Sequence, residues 1–297
     1  MCGLFGIIGP GITRWDLAAF HDLGIVNMLR GTDSAGVLFG KERDYRWSKR
    51  DNRCLIKKTA HSYADLLSNF KQHGEGTDWR RGDLEIPTIS DNYILGHTRH
   101  ATKGDTIASN AHPFETKDGK IAGMHNGTIK AEFITELVKD EDERNKLKYG
   151  TDSEALLNEI SRRGIQEVVA KLNDDEDSFA IVWVDKEAGR VFFTRNKKRG
   201  LAFAVNGSRH VMYYSSELDA LRYVLRRNDI KAKYYFANER FLFEVNPDRF
   251  GSMTKGKVPW KGYALPEFVK PELASEQKLL PLTNVATQSR LQNNIVH

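Results

Sequence analysis

A chain of 297 residues with 40% hydrophobic and 29% charged residues has an ordinary globular composition and is long enough to bury a substantial core, as one large domain or two small ones. Its 45 Lys and Arg against 40 Asp and Glu leave a net charge of +5, too weak without a focused patch to imply nucleic acid. Two cysteines exclude a disulfide framework, no Cys and His cluster has zinc spacing, and neither a membrane-length apolar run nor a signal-peptide layout is present, so a cytoplasmic setting is expected.

The chain opens Met1-Cys2-Gly3-Leu4-Phe5-Gly6-Ile7-Ile8-Gly9. Residue two is small, so removal of the initiator methionine is expected, leaving Cys2 with both a thiol and a free α-amine. That amine has a reference pKa of about 7.7–8.0, so near neutrality an appreciable fraction can take the thiol proton, and nucleophile and base come in one residue. Leu4, Phe5, Ile7 and Ile8 read as a buried strand that holds the terminus, and Gly3 removes a side chain where a ligand or backbone must come close. The plainer alternative is a core cysteine in an ordinary first strand.

Residues 15–29 have helical spacing. Arg30-Gly31-Thr32-Asp33-Ser34-Ala35-Gly36 then turns into a strand over 37–40, and Arg30 and Asp33 alone are equally well read as a surface ion pair. A helix is expected near 59–70. Cys54, beside Leu55 and Ile56, reads as a small core hydrophobe, and 72–92 as a loop long enough to cover a site. Tyr93-Ile94-Leu95 is a strand leading into Gly96-His97-Thr98-Arg99-His100-Ala101-Thr102-Lys103-Gly104. Here His97 and His100 also allow a metal or acid–base pair, though their spacing on a strand is poor ligand geometry.

Asn110-Ala111-His112-Pro113-Phe114 follows, then Ile121 to Ile129, a strand and turn containing Asn126-Gly127. Alone, Asn-Gly is a hairpin signal. Residues 130–147 read as a helix, and Thr151 with Glu154 has capping-box spacing ahead of a helix over 155–163. A short helix from 166 precedes strands at 178–184, 190–196, 201–205 and 211–217. The basic residues Arg195, Lys197, Lys198, Arg199, Arg222, Arg226 and Arg227 read as solvated turn and helix faces. Past residue 246 prolines recur and apolar periodicity fades. The expected organisation is a domain over 1–245 and an extended or partly disordered arm over 246–297.

Cys2-Gly3, the Arg30 segment, Gly96-His97-Thr98-Arg99, Asn126-Gly127 and Asp152, in this order, resemble the class II glutamine amidotransferases. These are the Ntn hydrolases with an N-terminal cysteine that include the glutaminase domains of glucosamine-6-phosphate synthase and amidophosphoribosyltransferase. The resemblance implies an α+β fold, a four-layer αββα sandwich of two antiparallel sheets. It implies that L-glutamine is hydrolysed to glutamate and ammonia through a Cys2 thioester, with no metal or organic cofactor.

Under it, Asn126 and the backbone N–H of Gly127 stabilise the oxyanion. Arg99 takes the glutamine α-carboxylate, with Thr102 adding a hydrogen bond, Asp152 takes the α-ammonium, and His112 lies in the substrate-binding set. Arg30 and Gly3 support the nucleophile. His100 and Lys103 depart from the residues the family commonly has beside this arginine and threonine. Family enzymes carry a synthase, transferase or ATP-using domain beyond about residue 240, so a stand-alone glutaminase supplying ammonia to a separate synthetase is expected. The rival readings are an Ntn amidase for another γ-glutamyl or acyl amide, and a non-catalytic binding or regulatory module with the same fold.

Overall fold

The computed structural model describes residues 2–41, 54–74, 87, 91–101, 106–138, 149–248 and 258–268. In chain order they begin with β1 (Gly3–Ile8), α1 (Arg14–Asn27), β2 (Ser34–Lys41), β3 (Cys54–Thr59), α2 (Tyr63–Gly74) and β4 (Asp91–Arg99). The middle comprises β5 (Phe114–Glu115), β6 (Ile121–Thr128), α3 (Glu132–Thr135), α4 (Asp152–Arg163) and α5 (Ile165–Ala170). Then follow β7 (Ser178–Asp185), β8 (Arg190–Arg195), β9 (Ala202–Asn206), β10 (Val211–Ser215), α6 (Leu218–Arg227), β11 (Lys233–Phe236), β12 (Phe241–Val245) and β13 (Trp260–Ala264).

Antiparallel ladders join these strands into a seven-stranded sheet, ordered β11-β9-β10-β1-β4-β2-β3, and a six-stranded sheet, ordered β13-β12-β8-β7-β6-β5. Side-chain alternation along each strand decides the layering. In β1, Phe5 and Ile7 join Phe20 of α1, Tyr63 of α2 and Leu221 of α6 in one core. Leu4 and Ile8 point the other way, to Met124, Val182, Phe193 and Tyr214 between the two sheets. A third core packs Ile181 and Trp183 of β7 against Leu157 of α4 and Val168 of α5. Helices, sheet, sheet, helices: the αββα sandwich is the observed fold. Full burial of each such side chain contributes about 1.5–3 kcal/mol, so the three cores outweigh any single polar contact in fixing it. No helix among the described residues is long and apolar enough to cross a membrane.

Three expectations change. Asn126 and Gly127 are not a hairpin turn, because they pair with Ala180 and Phe179 inside the β6–β7 ladder. Of the helix expected over 130–147, the single turn Glu132–Thr135 forms, and residues 139–148 lie outside the described residues. The chain past 246 re-enters the fold: β13 pairs with β12 along the edge of the second sheet. Trp260 anchors it, with ring centroids 5.2 Å from Phe203 and 5.3 Å from Tyr235. Arg240 then secures the exit, donating to the Pro266 carbonyl at 2.8 Å. An aromatic strand this short, bracketed by Pro259 and Pro266, has too little periodicity to stand out in the sequence. Most of the expected 72–92 loop and residues 269–297 lie outside the described residues.

Candidate active site

The same alternation turns three expected site residues, Cys2, Arg99 and Asn126, toward the space between the sheets. On β1, residues on the even positions face the second sheet, as Leu4 and Ile8 do, and Cys2 continues that series at the strand's start. On β4 the odd positions face it, Tyr93 and Leu95 first, then His97 and Arg99. On β6 Ala122 and Met124 face the first sheet, and Asn126 comes next on the same side. The β1–β4 register pairs Gly3 with Thr98, so Cys2 lies alongside Arg99 and His100. Its Sγ donates to the His100 carbonyl at 3.8 Å.

Arg30 fixes the nucleophile's backbone. Its Nε donates to the Cys2 carbonyl at 2.8 Å, and its Nη1 pairs with Glu217. The Arg30–Asp33 ion pair is therefore replaced by a different arrangement. The Asp33 carboxylate accepts from the Ala101 N–H at 2.7 Å and lies 3.3 Å from His100 Nδ1, while the Asp33 N–H donates to the Arg99 carbonyl at 3.0 Å. These contacts shape the turn that follows Arg99.

Ser216 connects the two sheets. Its hydroxyl accepts from the Leu4 N–H at 2.9 Å and from Asn126 Nδ2 at 3.4 Å, and its own N–H donates to the Leu4 carbonyl at 2.8 Å. Asp152 sits past the end of β6 at the start of α4. Its two carboxylate oxygens accept from the Ile129 and Ser153 N–H groups, each at 2.9 Å. Thr151 is the N-cap, accepting from Glu154 N–H at 3.2 Å, so the capping reading holds for that residue. Glu154 reaches back to the Gly150 N–H at 2.9 Å.

Both glycines of the expected site are sterically required. A Cβ on Gly3 would stand 2.5 Å from Asn27 Oδ1 and 2.8 Å from Thr98 Oγ1. On Gly127 it would stand 1.8 Å from the Ser178 carbonyl oxygen and 2.5 Å from His125 Nε2. The neighbouring strand and the preceding histidine thus already account for a glycine at 127.

Three histidines form a buried group behind Asn126. His97 Nε2 meets the His125 carbonyl at 3.2 Å, and His125 Nδ1 meets Ser153 Oγ at 2.9 Å. His112, 4% exposed, packs against His97 with the rings tilted by 35° and centroids 4.1 Å apart, and lies edge-on to Phe114. Among the described residues neither His112 ring nitrogen has a hydrogen-bond partner, and the ring is part of this interior packing. Burial lowers the pKa of all three, His97 to about 3 and His112 well below its usual value, so they are neutral imidazoles at neutral pH. His97 and His100 take up separate partners, the His125 carbonyl and Asp33, which dissolves the metal or acid–base pair. Thr102 lies outside the described residues.

Burial pushes the Cys2 thiol above its ordinary pKa of 9.0, opposed by the His100 contact and by the Arg99 and Arg199 guanidiniums. A thiol so placed rests protonated near neutral pH and requires a base when it attacks. Arg199 was read as part of a solvated turn, and its approach to Cys2 comes from the β8–β9 connection folding over Ser216. Gly200 makes that fold possible, since a Cβ there would stand 2.5 Å from the Ser216 carbonyl. Lys58 is a second residue without a sequence signal. Its ammonium donates to the carbonyls of Ser109, Ala111 and Pro113 at 3.2, 3.1 and 3.4 Å, holding the segment that carries His112.

Two face-to-face antiparallel sheets between helical layers, with Cys2 immediately ahead of the central strand, make up a fold of the Ntn-hydrolase type. The chain belongs to the glutamine amidotransferase domain family, whose model matches residues 55–248. It is 27% identical over 301 residues to the glutamine–fructose-6-phosphate aminotransferase (isomerizing) of Pyrobaculum aerophilum, covering 95% of this chain and 45% of that protein. The enzyme of the same name from Sulfurisphaera tokodaii is 38% identical over 207 residues, covering 66% of this chain and 30% of that one. The solved glutamine phosphoribosylpyrophosphate amidotransferase from B. subtilis, complexed with ADP and GMP, superposes with a TM-score of 0.60 at 17% identity, covering 89% of this chain and 49% of that one. The chain spans less than half the length of each of these relatives.

Proposed function

We propose that the chain hydrolyses L-glutamine to glutamate and ammonia at Cys2, as a glutaminase that delivers its ammonia to a separate synthetase. The observation that supports this reading is that Cys2 lies alongside Arg99 across the β1–β4 register, while Asn126 of the opposite sheet is linked through Ser216 to Leu4, two residues beyond Cys2. With Met1 removed, the α-amine of Cys2 takes the thiol proton as Sγ attacks the glutamine side-chain carbonyl carbon. Asn126 Nδ2 and the Gly127 N–H hold the resulting oxyanion. The C–N bond then breaks, the departing nitrogen takes the proton back and leaves as ammonia, and a γ-glutamyl thioester remains. Water, losing its proton to the same amine, cleaves the thioester and restores the thiol as glutamate leaves.

Arg99 is the residue proposed to pair with the α-carboxylate and Asp152 the one proposed to pair with the α-ammonium, with Thr102 assisting. Together they select a free amino acid over a peptide, whose α-groups are blocked. Arg30 and Gly3 support the nucleophile, Arg30 through the Cys2 carbonyl. His112, expected to touch substrate, is better supported as packing beneath the site. Free ammonia protonates and diffuses away in water, which supports an acceptor enzyme docked to the chain.

The test is mass spectrometry after treatment with a glutamine-like diazoketone, alongside glutamate release. One adduct on an N-terminal Cys2, none in Cys2→Ala, and glutamine turnover support the reading. Retention of Met1 in active protein, or turnover by Cys2→Ala, overturns it. Full turnover by the isolated chain, with no enzyme retained on it through purification, overturns the separate synthetase.

A further inference from the structure

Ser216 is 2% exposed and lies one residue beyond β10, on the strand face that Met212 and Tyr214 turn toward the second sheet. Three polar contacts converge on it. The Leu4 N–H donates to its hydroxyl at 2.9 Å, its own N–H donates to the Leu4 carbonyl at 2.8 Å, and Asn126 Nδ2 approaches the hydroxyl at 3.4 Å. The two bonds to Leu4 lock Ser216 to the strand that carries Cys2 two residues earlier. The contact to Asn126 comes from the opposite sheet. Among the described residues, no other hydrogen bond joins the Asn126 side chain to the nucleophile's strand or its partners.

We propose that Ser216 is a positioning residue for the oxyanion-stabilising amide: it registers Asn126 of the second sheet against the Cys2 strand of the first. This rests on the glutaminase reading above. The physical need is plain. Nucleophile and oxyanion donor stand on different sheets packed through a mostly apolar interface. The His97 contact to the His125 carbonyl ties the backbone just ahead of Asn126 but does not aim its side chain. An oxyanion donor acts only when it is aimed at the atom where charge develops, and a displacement of about 1 Å can cost on the order of 10²-fold. The hydroxyl has one lone pair committed to the Leu4 N–H, which leaves the other facing Asn126. One amide hydrogen is thereby held by Ser216, and the second stays available to the oxyanion. The contact to Asn126 is long for a hydrogen bond, as site contacts commonly are before substrate arrives.

A double-mutant cycle on the full-length chain tests this, with glutamate release measured for wild type, S216A, N126A and S216A/N126A. The expected result is that S216A lowers kcat by about 10- to 100-fold with KM for glutamine within about twofold, because the amide is misaimed while the α-groups are still bound. N126A lowers kcat by about 10²- to 10³-fold, and adding S216A to it costs less than about threefold more. Wild-type kcat in S216A, or multiplicative losses in the double variant, overturns the proposal. S216C, which keeps the side-chain size with a poor acceptor, takes the place of S216A if the alanine variant does not fold. Hydrogen exchange at the Leu4 amide is read in parallel and is expected to speed up in the Ser216 variants. An inactive wild-type chain defeats the glutaminase reading, whereas unchanged Leu4 protection defeats this one.

Discussion

Arg30 holds Cys2 by its carbonyl oxygen, at 2.8 Å from Nε, and not by its sulfur. The other end of the guanidinium pairs with Glu217, whose side chain is 54% exposed. The two contacts differ in worth. An exposed ion pair contributes about 0–1 kcal/mol, whereas a hydrogen bond to a charged donor contributes about 1.5–3 kcal/mol. Arg30→Ala is therefore expected to lower glutamine turnover about tenfold or more, and Glu217→Gln less than about threefold. Steady-state kinetics on the two variants checks the ordering, and equal losses would show that the ion pair governs.

Gly127→Ala places a methyl carbon on the Ser178 backbone oxygen, not on a side chain that can swing away. Overpacking of this kind costs about 1–3 kcal/mol, and a backbone obstacle sets the upper end. A urea midpoint lowered at constant slope, together with loss of turnover, is the expected outcome.

Asp152 uses both carboxylate oxygens on backbone donors, Ile129 N–H and Ser153 N–H. An asparagine keeps only one acceptor and turns its NH2 toward the other donor, leaving that N–H unsatisfied at a cost of about 1–3 kcal/mol. Asp152→Asn is expected to lose stability of that order and to raise KM for glutamine more than tenfold, since the proposed partner of the α-ammonium loses its charge. Chemical denaturation and kinetics read the two effects separately. A changed stability with unchanged KM would leave Asp152 a structural residue only.

The buried histidines make the fold acid-labile. In the unfolded chain their imidazoles protonate below about pH 6.5, while in the fold burial holds His97 neutral to about pH 3 and His112 and His125 below their usual range. Between those limits the unfolded state binds more protons, so stability rises with pH, is fully present above about 6.5, and falls as the solution is acidified, by at most about 1.4 kcal/mol per pH unit for each histidine that stays neutral in the fold. Unfolding free energies at pH 7.5 and 5.0 check the slope. In His112→Leu it is expected to be shallower by one histidine's share.

Much of this was legible in the sequence because the site lies on strands. Leu4, Phe5, Ile7 and Ile8 read as a strand, and the alternation of that strand is what turns Cys2 inward. The residues that resemble the family motifs lie at the ends of β1, β4 and β6, where local pattern and chemistry coincide. What escaped is whatever depends on distant pairing. Ser216 and Glu217 looked like the end of a strand, and their partners Leu4, Asn126 and Arg30 are 90 to 212 positions away. Arg199 reads as a solvated cation and Lys58 carries no signal of its own, because nothing in their own neighbourhoods records the sulfur or the carbonyls they approach. Gly127 was legible as a glycine with a purpose, but the obstacle that demands it belongs to Ser178.

The first strand occupies the middle of its sheet, flanked by β4 and β10, and that position has a consequence for biosynthesis. Ile7 pairs with Tyr213, so the opening segment leaves the ribosome about 200 residues before its second edge is complete, an interval of roughly 10–40 s at about 5–20 residues per second. Throughout that interval an apolar ribbon with one unsatisfied edge must be shielded by the nascent chain or by chaperones. The sulfur-bearing strand is thus made well before the partner that locks it in place.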